Sequence, residues 1–383
     1  MRIRFYHKSL WPKYKGAIFT HVYALSQKAG VEVSFAHVAE TDEIRLALGG
    51  VDRSYHQYPY SVLLPGSYED APLFKRITTL IRDLVHHPAD FTVLPGYDRL
   101  ENWMLLLACM LLRRRRAVFC DSTIYDSPPI RWKRWAKSFF FRNCDGYIGY
   151  GQRSKEYMVS LGARGENVVI PCQAAALPHD YDAQSVMARY QRQDIPVSRE
   201  GEFLYVGRLA PEKGLFDLLA ALRLVREQLP GARLHLVGDG LLKKPLRQRA
   251  AELGLAEAIE IHGAMKLEQF QPFYFSSWAL VLPSLREPWG LVANEALSYG
   301  CPIVVSDHCG CVPELVTDGT GFRFETGSTE QLAQAMLATR QLCADRVATA
   351  RRCIELIEGY SPEHAAERML QGCMALAEAQ KVS

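Results

Sequence analysis

The feature that most constrains this chain is the regular alternation of short apolar β-type runs with longer amphipathic helical stretches. Strands in such an order are joined by helical crossovers, which produce a parallel sheet covered by helices on both faces. The predicted strands of the first half are residues 2–6, 31–38, 91–94, 117–120, 146–149 and 167–171. The predicted helices between them are residues 18–29, 72–86, 99–112, 130–143 and 152–161.

The alternation stops over residues 173–200, which contain Pro178 and Pro196 and indicate a linker with a short helix near 183–192. It then begins again, with predicted strands at 202–206, 233–237, 258–262, 279–282, 302–305 and 321–324. The predicted helices of this half are 214–229, 241–253, 266–275, 291–299, 328–343 and 361–380. We therefore expect an α/β protein with two doubly wound parallel-sheet domains, since 383 residues suffice for two cores of about 150 residues each. Ligands would bind at the carboxyl ends of the strands, in the cleft between the domains.

Charge and cysteine content narrow the expected partners and compartment. Residues 1–197 carry 26 Lys and Arg against 19 Asp and Glu, whereas residues 198–383 carry 19 against 23. The basic half favours an anionic partner such as a membrane surface, although scattered surface charge would give the same count. The ten cysteines include no C-x-x-C pair, so we expect reduced core thiols and no metal site. The N-terminal residues lack the apolar core of a secretory signal, and we expect a cytoplasmic protein without a spanning helix.

Two motifs follow the first two predicted strands of the second half. In VGRLAPEKG at 206–214, Arg208 and Lys213 stand in a loop before a helix. An arginine fork and a lysine ammonium there can hold a diphosphate and offset the charge of a departing one, although two solvated surface cations are the alternative. The segment Gly238-Asp239-Gly240 resembles the start of a dinucleotide-binding fingerprint, but the last glycine of that fingerprint is replaced by Lys243. A tight strand-to-helix turn is a sufficient explanation for the two glycines.

A third motif, EPWGLVANEA at 287–296, places Glu287 in a loop and Glu295 in the second turn of the next helix. Ionised carboxylates accept hydrogen bonds from adjacent sugar hydroxyls, and the free backbone N–H groups at 290–292 would face a phosphate. Two acids around a phosphate-binding turn suit a nucleotide sugar, whereas a capped helix with solvated acids is the alternative. The segment 300–315 by itself indicates only α/β turns.

The order and spacing of these segments resemble the donor-binding domain of the retaining glycosyltransferase family 4 (glycosyl transferases group 1), which has the GT-B fold. The matching segments are VGRLAPEKG, LVGDG, IHGAM, LPSLREPWGLVANEALSYGCPIVVSD and GCVPELVTDGTGF. The resemblance implies that Arg208 and Lys213 hold the donor diphosphate and stabilise its departure, and that Glu287 contacts donor-sugar hydroxyls. Glu295 would bind the ribose. The other donor-binding residues that we predict are Gly16, Gly207, Gly263, Ala264, Met265, Pro288, Trp289, Gly290, Leu291 and Val292.

The first half matches this family less well. Where the family often has a Gly-Gly loop after the first strand, this chain has Gly16 alone, and His7 and Asp121 are the candidates on the acceptor side. By the resemblance, residues 1–172 would bind the acceptor and residues 201–360 the donor. The helix at 361–383 would return to the first domain. No cofactor is expected besides the nucleotide-diphosphate sugar, which is a substrate.

The segment RWKRWAKSFFFR at 131–142 carries five cations and no acid. As a helix it would place Trp132, Trp135, Ala136, Phe139 and Phe140 on one face, a pattern typical of a helix lying on an anionic membrane. An ordinary helix with aromatics toward the sheet and cations toward water is the alternative. The segment shows no RNA-binding signature, so nucleic acid is not an expected partner.

These expectations combine into a hexosyltransferase that uses a nucleotide sugar and a glycan or lipid-linked acceptor, in surface-polysaccharide (such as lipopolysaccharide) or glycolipid synthesis. It would work in the cytoplasm, with peripheral association at the inner face of the membrane. The alternatives are a GT-B epimerase or phosphorylase, and a non-catalytic scaffold that binds nucleotide sugars.

Overall fold

A computed structural model describes residues 1–46, 49–126, 130–192 and 200–379. The chain forms two units, each with its own sheet. The first unit combines residues 1–176 with the C-terminal segment from residue 361 onward, and the second unit is the intervening segment, 177–360. The part of the predicted linker at 193–199 and the end of the chain at 380–383 lie outside the described residues.

The sheet of the first unit has seven parallel strands in the order β3-β2-β1-β4-β5-β6-β7. Its strands are β1 (Arg2–Ser9), β2 (Glu32–Thr41), β3 (Tyr60–Ser67), β4 (Phe91–Leu94), β5 (Arg115–Cys120), β6 (Gly146–Gly149) and β7 (Val168–Val169). Its helices up to residue 176 are α1 (Lys13–Lys28), α2 (Glu43–Leu46), α3 (Leu73–His86), α4 (Leu100–Leu111), α5 (Arg131–Arg142) and α6 (Gln152–Ser160). The strand order reverses between β1 and β4, which creates a crevice at the carboxyl edge of this sheet.

The sheet of the second unit has six parallel strands in the order β10-β9-β8-β11-β12-β13. They are β8 (Glu202–Val206), β9 (Arg233–Val237), β10 (Ile259–Gly263), β11 (Ala279–Leu282), β12 (Ile303–Ser306) and β13 (Gly321–Phe324). The helices are α7 (Ala183–Gln191), α8 (Leu215–Gln228), α9 (Lys243–Glu252), α10 (Leu267–Ser276), α11 (Leu291–Ser298), α12 (Val312–Leu315), α13 (Thr329–Cys343) and α14 (Arg346–Glu358). Here the order reverses between β8 and β11.

A last helix, α15 (Pro362–Glu378), belongs to the first unit although it follows the second in sequence. Ser361 caps it by accepting a hydrogen bond from the backbone N–H of His364 (3.2 Å). Its buried face includes Met369 and Cys373, and Gly372 lies directly against Val169 of β7.

Each core follows from the periodicity of the helices. In α8, the buried residues Leu215, Leu218, Leu219, Leu222 and Val225 recur at helical spacing and pack on one face of the second sheet.

The buried cysteines of both units are all reduced, as the sequence predicts. Among the described helices, none combines the length and the apolar character that crossing a membrane would need.

Four of these elements were not predicted from the sequence: the four-residue helices α2 and α12, strand β3 and helix α14. Strand β3 was missed because it contains Pro65 and Gly66, which favour loops. Pro65 is tolerated because β3 lies at the edge of the sheet, where a missing backbone N–H costs little. Helix α14 was missed because Arg351 and Arg352 interrupt its apolar residues, but Cys353, Ile354 and Ile357 still share a buried face.

Candidate functional site

The strand reversal in the second unit brings two predicted motifs to one crevice. Strand β8 leads into residues 207–214, and its neighbour β11 leads into residues 283–290. Because both strands are parallel, their carboxyl ends lie at the same edge of the sheet, where ligands of open α/β sheets bind. A glycine fixes the approach of the two loops: a Cβ atom on Gly214 (φ 64°) would overlap the carbonyl oxygen of Pro283.

Lys213 and Glu287 form an ion pair across these two loops. Only 13% and 17% of their side-chain surfaces are exposed, so the two charges neutralise each other in a largely dry setting. Ser284 Oγ donates a further hydrogen bond to Glu287 Oε2 (3.4 Å). The sequence predicted both residues for this site, but not that they would be partners.

Arg208 has a different environment. Its side chain is 55% exposed and its guanidinium lies 2.8 Å from Glu212 Oε1, four residues along the same loop. An exposed pair of this kind holds a side chain only weakly. Arg208 is therefore the cation of this loop that can reorient toward an anion at low cost.

Glu295, the second carboxylate of the EPWGLVANEA motif, lies in the second turn of α11, beyond the loop that carries Glu287. Glu295 belongs to α11 and accepts a hydrogen bond from the hydroxyl of Tyr274 (3.2 Å), whose ring stacks on Tyr299 at 5.6 Å. Burial raises the pKa of Glu295 to about 7, although the Tyr274 hydrogen bond opposes this shift. Its charge is thus adjustable near neutral pH.

Helix α11 itself offers an anion site. It begins at Leu291 after Gly290, whose φ of 97° is left-handed, and the N–H of Ala293 already donates to Gly290 O (2.8 Å). The N–H groups of Leu291 and Val292, at the start of the helix, have no intrahelical acceptor and can face an anion. Trp289 is 4% exposed and its Nε1 donates to Asn294 Oδ1 (2.7 Å), which fixes the turn onto the helix. Pro288 precedes this anchored tryptophan.

Residues 309–311 support this turn, a role that the sequence did not reveal. The N–H of Gly310 donates to Glu287 O (2.8 Å) and that of Cys311 to Trp289 O (3.2 Å). A Cβ on Gly310 would overlap the carbonyl oxygen of Pro288. The only signal was a glycine four residues after the end of β12, and its partner Glu287 lies more than twenty residues away in sequence.

The Gly238-Asp239-Gly240 turn has a similar supporting function. Gly207 donates its N–H to Val237 O (2.9 Å) and Leu209 donates to Asp239 O (2.9 Å). A Cβ on Gly238 would overlap Gly207 O, so the turn requires glycine in order to hold the 207–214 loop. The incomplete fingerprint therefore serves packing.

The residues predicted to flank a base lie at the same edge of the second sheet. Gly263 ends β10 with a φ of 81° and its carbonyl accepts from the N–H of Gly238 (2.8 Å). Ala264 and Met265 follow it, exposed and half-buried respectively. The second unit thus brings together every predicted donor residue except Gly16.

Gly16 lies in the first turn of α1 in the first unit. The α1 helix begins at Lys13 and not near residue 18 as predicted, so Gly16 is helical and not part of a loop after β1. Its Cα faces the ring of His56, which a Cβ would approach to 2.7 Å.

His7 and Asp121 line one cavity of about 210 Å³ at the strand reversal of the first unit. Burial, with Lys15 and His37 nearby, lowers the pKa of His7, whose Nδ1 lies 2.8 Å from Ser9 O. Asp121 is exposed and follows β5 directly. Asn102 shares the lining with them.

Lys15 is a residue that the sequence reasoning did not single out. It is fully buried, and its Nζ has no hydrogen-bond partner among the residues that the structure describes. The Nζ lies 4.3 Å and 4.5 Å from the ring centroids of Phe119 and Tyr150, which line the same cavity. Burial lowers the pKa of Lys15 to about 7, although Asp121 opposes the shift.

Helix α5 divides its aromatic residues between two environments. Phe140 and Phe141 are fully buried, whereas Trp132 and Trp135 are 69% and 74% exposed. Phe140 therefore does not share an outward face with the tryptophans. A groove of about 760 Å³ runs beside the exposed side, and its lining mixes apolar side chains such as Leu100, Ile124 and Trp132 with charged ones such as Arg99, Lys133 and Arg134.

Comparisons with known proteins agree with this arrangement. Residues 188–355 match the family model described as Glycosyl transferases group 1. A glycogen synthase of Mycobacterium tuberculosis (strain CDC 1551 / Oshkosh) is 34% identical over 264 residues, which cover 67% of this chain. The match spans 62% of the glycogen synthase, so the chain covers less than two thirds of that relative.

Two solved structures share the fold over nearly their whole length. One is the apo form of the lipopolysaccharide outer core galactosyltransferase WaaB, with a TM-score of 0.70, 16% identity and coverage of 98% of this chain and 99% of WaaB. The other is HepE of Anabaena in complex with UDP, with a TM-score of 0.71, 17% identity and coverage of 97% and 99%. At these identities the likeness concerns the fold alone.

Proposed function

Because residues 188–355 belong to the glycosyl transferases group 1 family and the chain has the GT-B fold, we propose that this protein is a retaining glycosyltransferase. It moves a hexose-type sugar from a nucleotide-diphosphate donor to a glycan or lipid-linked acceptor, in the synthesis of a surface polysaccharide or glycolipid.

One observation carries the proposal: Lys213, Glu287 and the N-terminus of α11 meet at the strand reversal of the second unit. The ammonium and the free N–H groups suit the diphosphate, and the carboxylate suits hydroxyls of the transferred sugar. When a donor binds, Lys213 and Arg208 stabilise the negative charge that develops on the leaving diphosphate. Glu295, on the far side of the turn, accepts hydrogen bonds from the ribose.

The choice of donor starts from the solved relatives. HepE is solved with UDP and also with UDP-glucose, so uridine diphosphate sugars are the first donors to test. Because the protein itself supplies positive charge at the diphosphate, we expect catalysis without a metal ion. Retention of anomeric configuration rests on the family resemblance and on the cations that favour early departure of the diphosphate.

Nucleotide release from a panel of UDP-, GDP- and ADP-sugars, measured with candidate acceptors in excess EDTA, tests the proposal. We expect turnover with one base, unchanged by the chelator, and an α-linked product from an α-linked donor by proton NMR. A loss of turnover that magnesium or manganese restores would contradict metal independence, and a β-linked product would contradict retention. If no nucleotide raises the melting temperature or supports turnover, the non-catalytic scaffold is the better description.

We also propose that α5 attaches the enzyme to an anionic membrane surface, where a lipid-linked acceptor would be found. The exposed Trp132 and Trp135 stand beside exposed Lys133 and Arg134, which combines an insertable apolar surface with positive charge. Lys137 is less available to lipid headgroups, since its Nζ already donates a hydrogen bond to the hydroxyl of Tyr157 (2.8 Å).

Sedimentation with phosphatidylglycerol vesicles at low salt tests the attachment. Lys133→Gln should weaken binding about fivefold, because one cation near an anionic surface contributes about 1 kcal/mol, and Trp132→Ser with Trp135→Ser should weaken it further. Leu241→Ser is the matched control, since Leu241 is 88% exposed in the second unit. Equal binding by the wild type and the tryptophan variant would exclude α5 as the attachment.

A further inference from the structure

One face of the second sheet carries polar side chains from three adjacent strands. His235 of β9 pairs in register with Glu260 of β10, and His262 lies two residues beyond Glu260 on the same face. Glu202 of β8 lies two residues before Leu204, which is the register partner of His235. Because side chains alternate along a strand, Glu202, His235 and Glu260 project from one face. The register shift between Ile261 and Gly263 leaves His262 on this face too, since its ring contacts that of His235.

Three of these side chains converge on a single point. His235 Nδ1 lies 3.1 Å from His262 Nε2 and 3.6 Å from a carboxylate oxygen of Glu260. Within the described part of the chain, this is the one trio of His, Cys, Asp or Glu whose ligand atoms all lie within 4.8 Å of one another. Donor atoms bound at about 2.1 Å around a tetrahedral ion lie about 3.4 Å apart, which is close to these separations.

The surroundings hold the two imidazoles in place. The side chains of His235 and His262 are only 12% and 14% exposed, and the ring of Phe273 lies 4.8 Å and 4.7 Å from theirs. Glu202 lies 3.9 Å from the other ring nitrogen of His235, Nε2. A carboxylate behind a metal-bound histidine orients the ring and raises its basicity as a ligand.

We propose that His235, Glu260 and His262 form a binding site for a divalent transition-metal ion, with Zn²⁺ as the best match. Two imidazoles and one carboxylate are a zinc ligand set, and the 66% exposure of Glu260 leaves a fourth position open to water. Glu202 acts as the positioning residue behind His235. Arg233 neighbours this face with a positive charge, but two carboxylates outnumber it. A bound ion crosslinks β9 to the edge strand β10 and is separate from the donor chemistry.

Zinc chloride added to the full chain, after removal of metal with a chelator and dialysis, tests this proposal by calorimetry and by thermal shift. We expect one equivalent of Zn²⁺ per chain and a higher melting temperature. Glu260→Ala, at an exposed position where folding is not at risk, should weaken binding at least tenfold, and His262→Ala should abolish it. Glu202→Gln should weaken binding about 10- to 100-fold without loss of a ligand.

His86→Ala is the matched control, because His86 is an exposed histidine of α3 in the first unit and should leave zinc affinity unchanged. Co²⁺ in place of Zn²⁺ should give the visible absorption of a tetrahedral site in the wild type and lose it in Glu260→Ala. Equal zinc affinity of the wild type and Glu260→Ala, or less than one equivalent bound, would overturn the site. Since turnover in EDTA is measured separately, neither outcome depends on the proposed glycosyl transfer.

Discussion

Lys213 and Glu287 are paired with each other in the free chain, so in the proposed donor complex the diphosphate would draw the ammonium partly away from Glu287. The ammonium would exchange one anion for another, and hydroxyls of the donor sugar would take its place as hydrogen-bond donors to Glu287. Arg208 makes no such exchange, because it is exposed and only weakly paired with Glu212. The two cations of the loop therefore differ in what their loss should do.

Lys213→Ala and Arg208→Ala should each lower turnover about a hundredfold, since removing one group that stabilises the leaving charge costs roughly 3 kcal/mol in the transition state. Their stabilities should differ. Lys213→Ala strands Glu287 and should lower the free energy of unfolding by about 3 kcal/mol, whereas Arg208→Ala should change it by less than about 1 kcal/mol. Steady-state kinetics and urea unfolding measure the two effects. Turnover near the wild-type value in either variant would contradict the leaving-group role.

If Glu295 binds the ribose as proposed, donor binding should depend on pH. Its folded pKa of about 7 exceeds the ordinary value of 4.5, so burial favours the protonated form and the free energy of unfolding should fall as pH rises from about 4.5 to 7. Ribose hydroxyls prefer the ionised carboxylate as acceptor. UDP should therefore bind more tightly as pH rises through 7 and release protons near pH 6.5.

Calorimetry of UDP binding in two buffers of different ionisation enthalpy measures this proton release. Glu295→Gln is the control, because the amide keeps the shape of the side chain but cannot titrate. If proton release persists in Glu295→Gln, another group is responsible.

At the scale of loops and strands, glycines determine how closely the backbones of neighbouring loops approach each other at the site. Gly310→Ala should displace the Glu287–Trp289 turn, because the added Cβ would overlap Pro288 O. We expect at least a tenfold loss of donor affinity in a chain that still folds, measured by nucleotide titration with circular dichroism as the check on folding. Gly359→Ala is the matched control, since its nearest new contact is 3.7 Å away and its backbone is helical. Equal losses in both variants would contradict a specific role of Gly310.

The sequence predicts the strands of the second unit almost to the residue, because they are short runs rich in apolar residues and four of the six end at or just before a glycine or proline. It fails where local pattern and tertiary position disagree. Strand β3 reads as a loop because of Pro65, and only its edge position permits that residue. On α5, periodicity alone groups Phe140 with the tryptophans, whereas the sheet that it covers selects Phe140 and Phe141 for the core.

For the candidate site, the sequence predicts which loops come together but not which side chains pair. Parallel strands bring their carboxyl ends together, so the loops at 207–214 and 283–290 could be assigned to one edge. The Lys213–Glu287 pairing could not, because 74 residues separate the partners and the contact depends on how the two loops fold. The His235–Glu260–His262 trio was missed for the same reason, since its members become neighbours only through strand register.

At the scale of the whole molecule, the first unit depends on a helix made at the end of the chain. Helix α15 buries Met369, Leu370 and Cys373 in that unit, and Leu376 lies against Gly146 of β6. A chain ending at residue 360 should therefore lose the cooperative unfolding transition of the first unit, because a whole apolar helix face is missing. Calorimetry should still show one transition, that of 177–360, and UDP should still raise it. Two intact transitions would mean that α15 is dispensable.

Because the first unit is made of two separate segments of the chain, it also determines which unit can complete its folding first during synthesis. Residue 176 leaves the ribosome about 200 residues before α15 is complete, which is roughly 10 to 40 s at common rates of elongation. Throughout that interval the partly assembled first unit keeps the surface for α15 uncovered, while the second unit is synthesised and has all of its sequence before α15 is complete. The half that is synthesised first is thus the half that finishes last, and it carries the greater exposure to chaperones and to aggregation during synthesis.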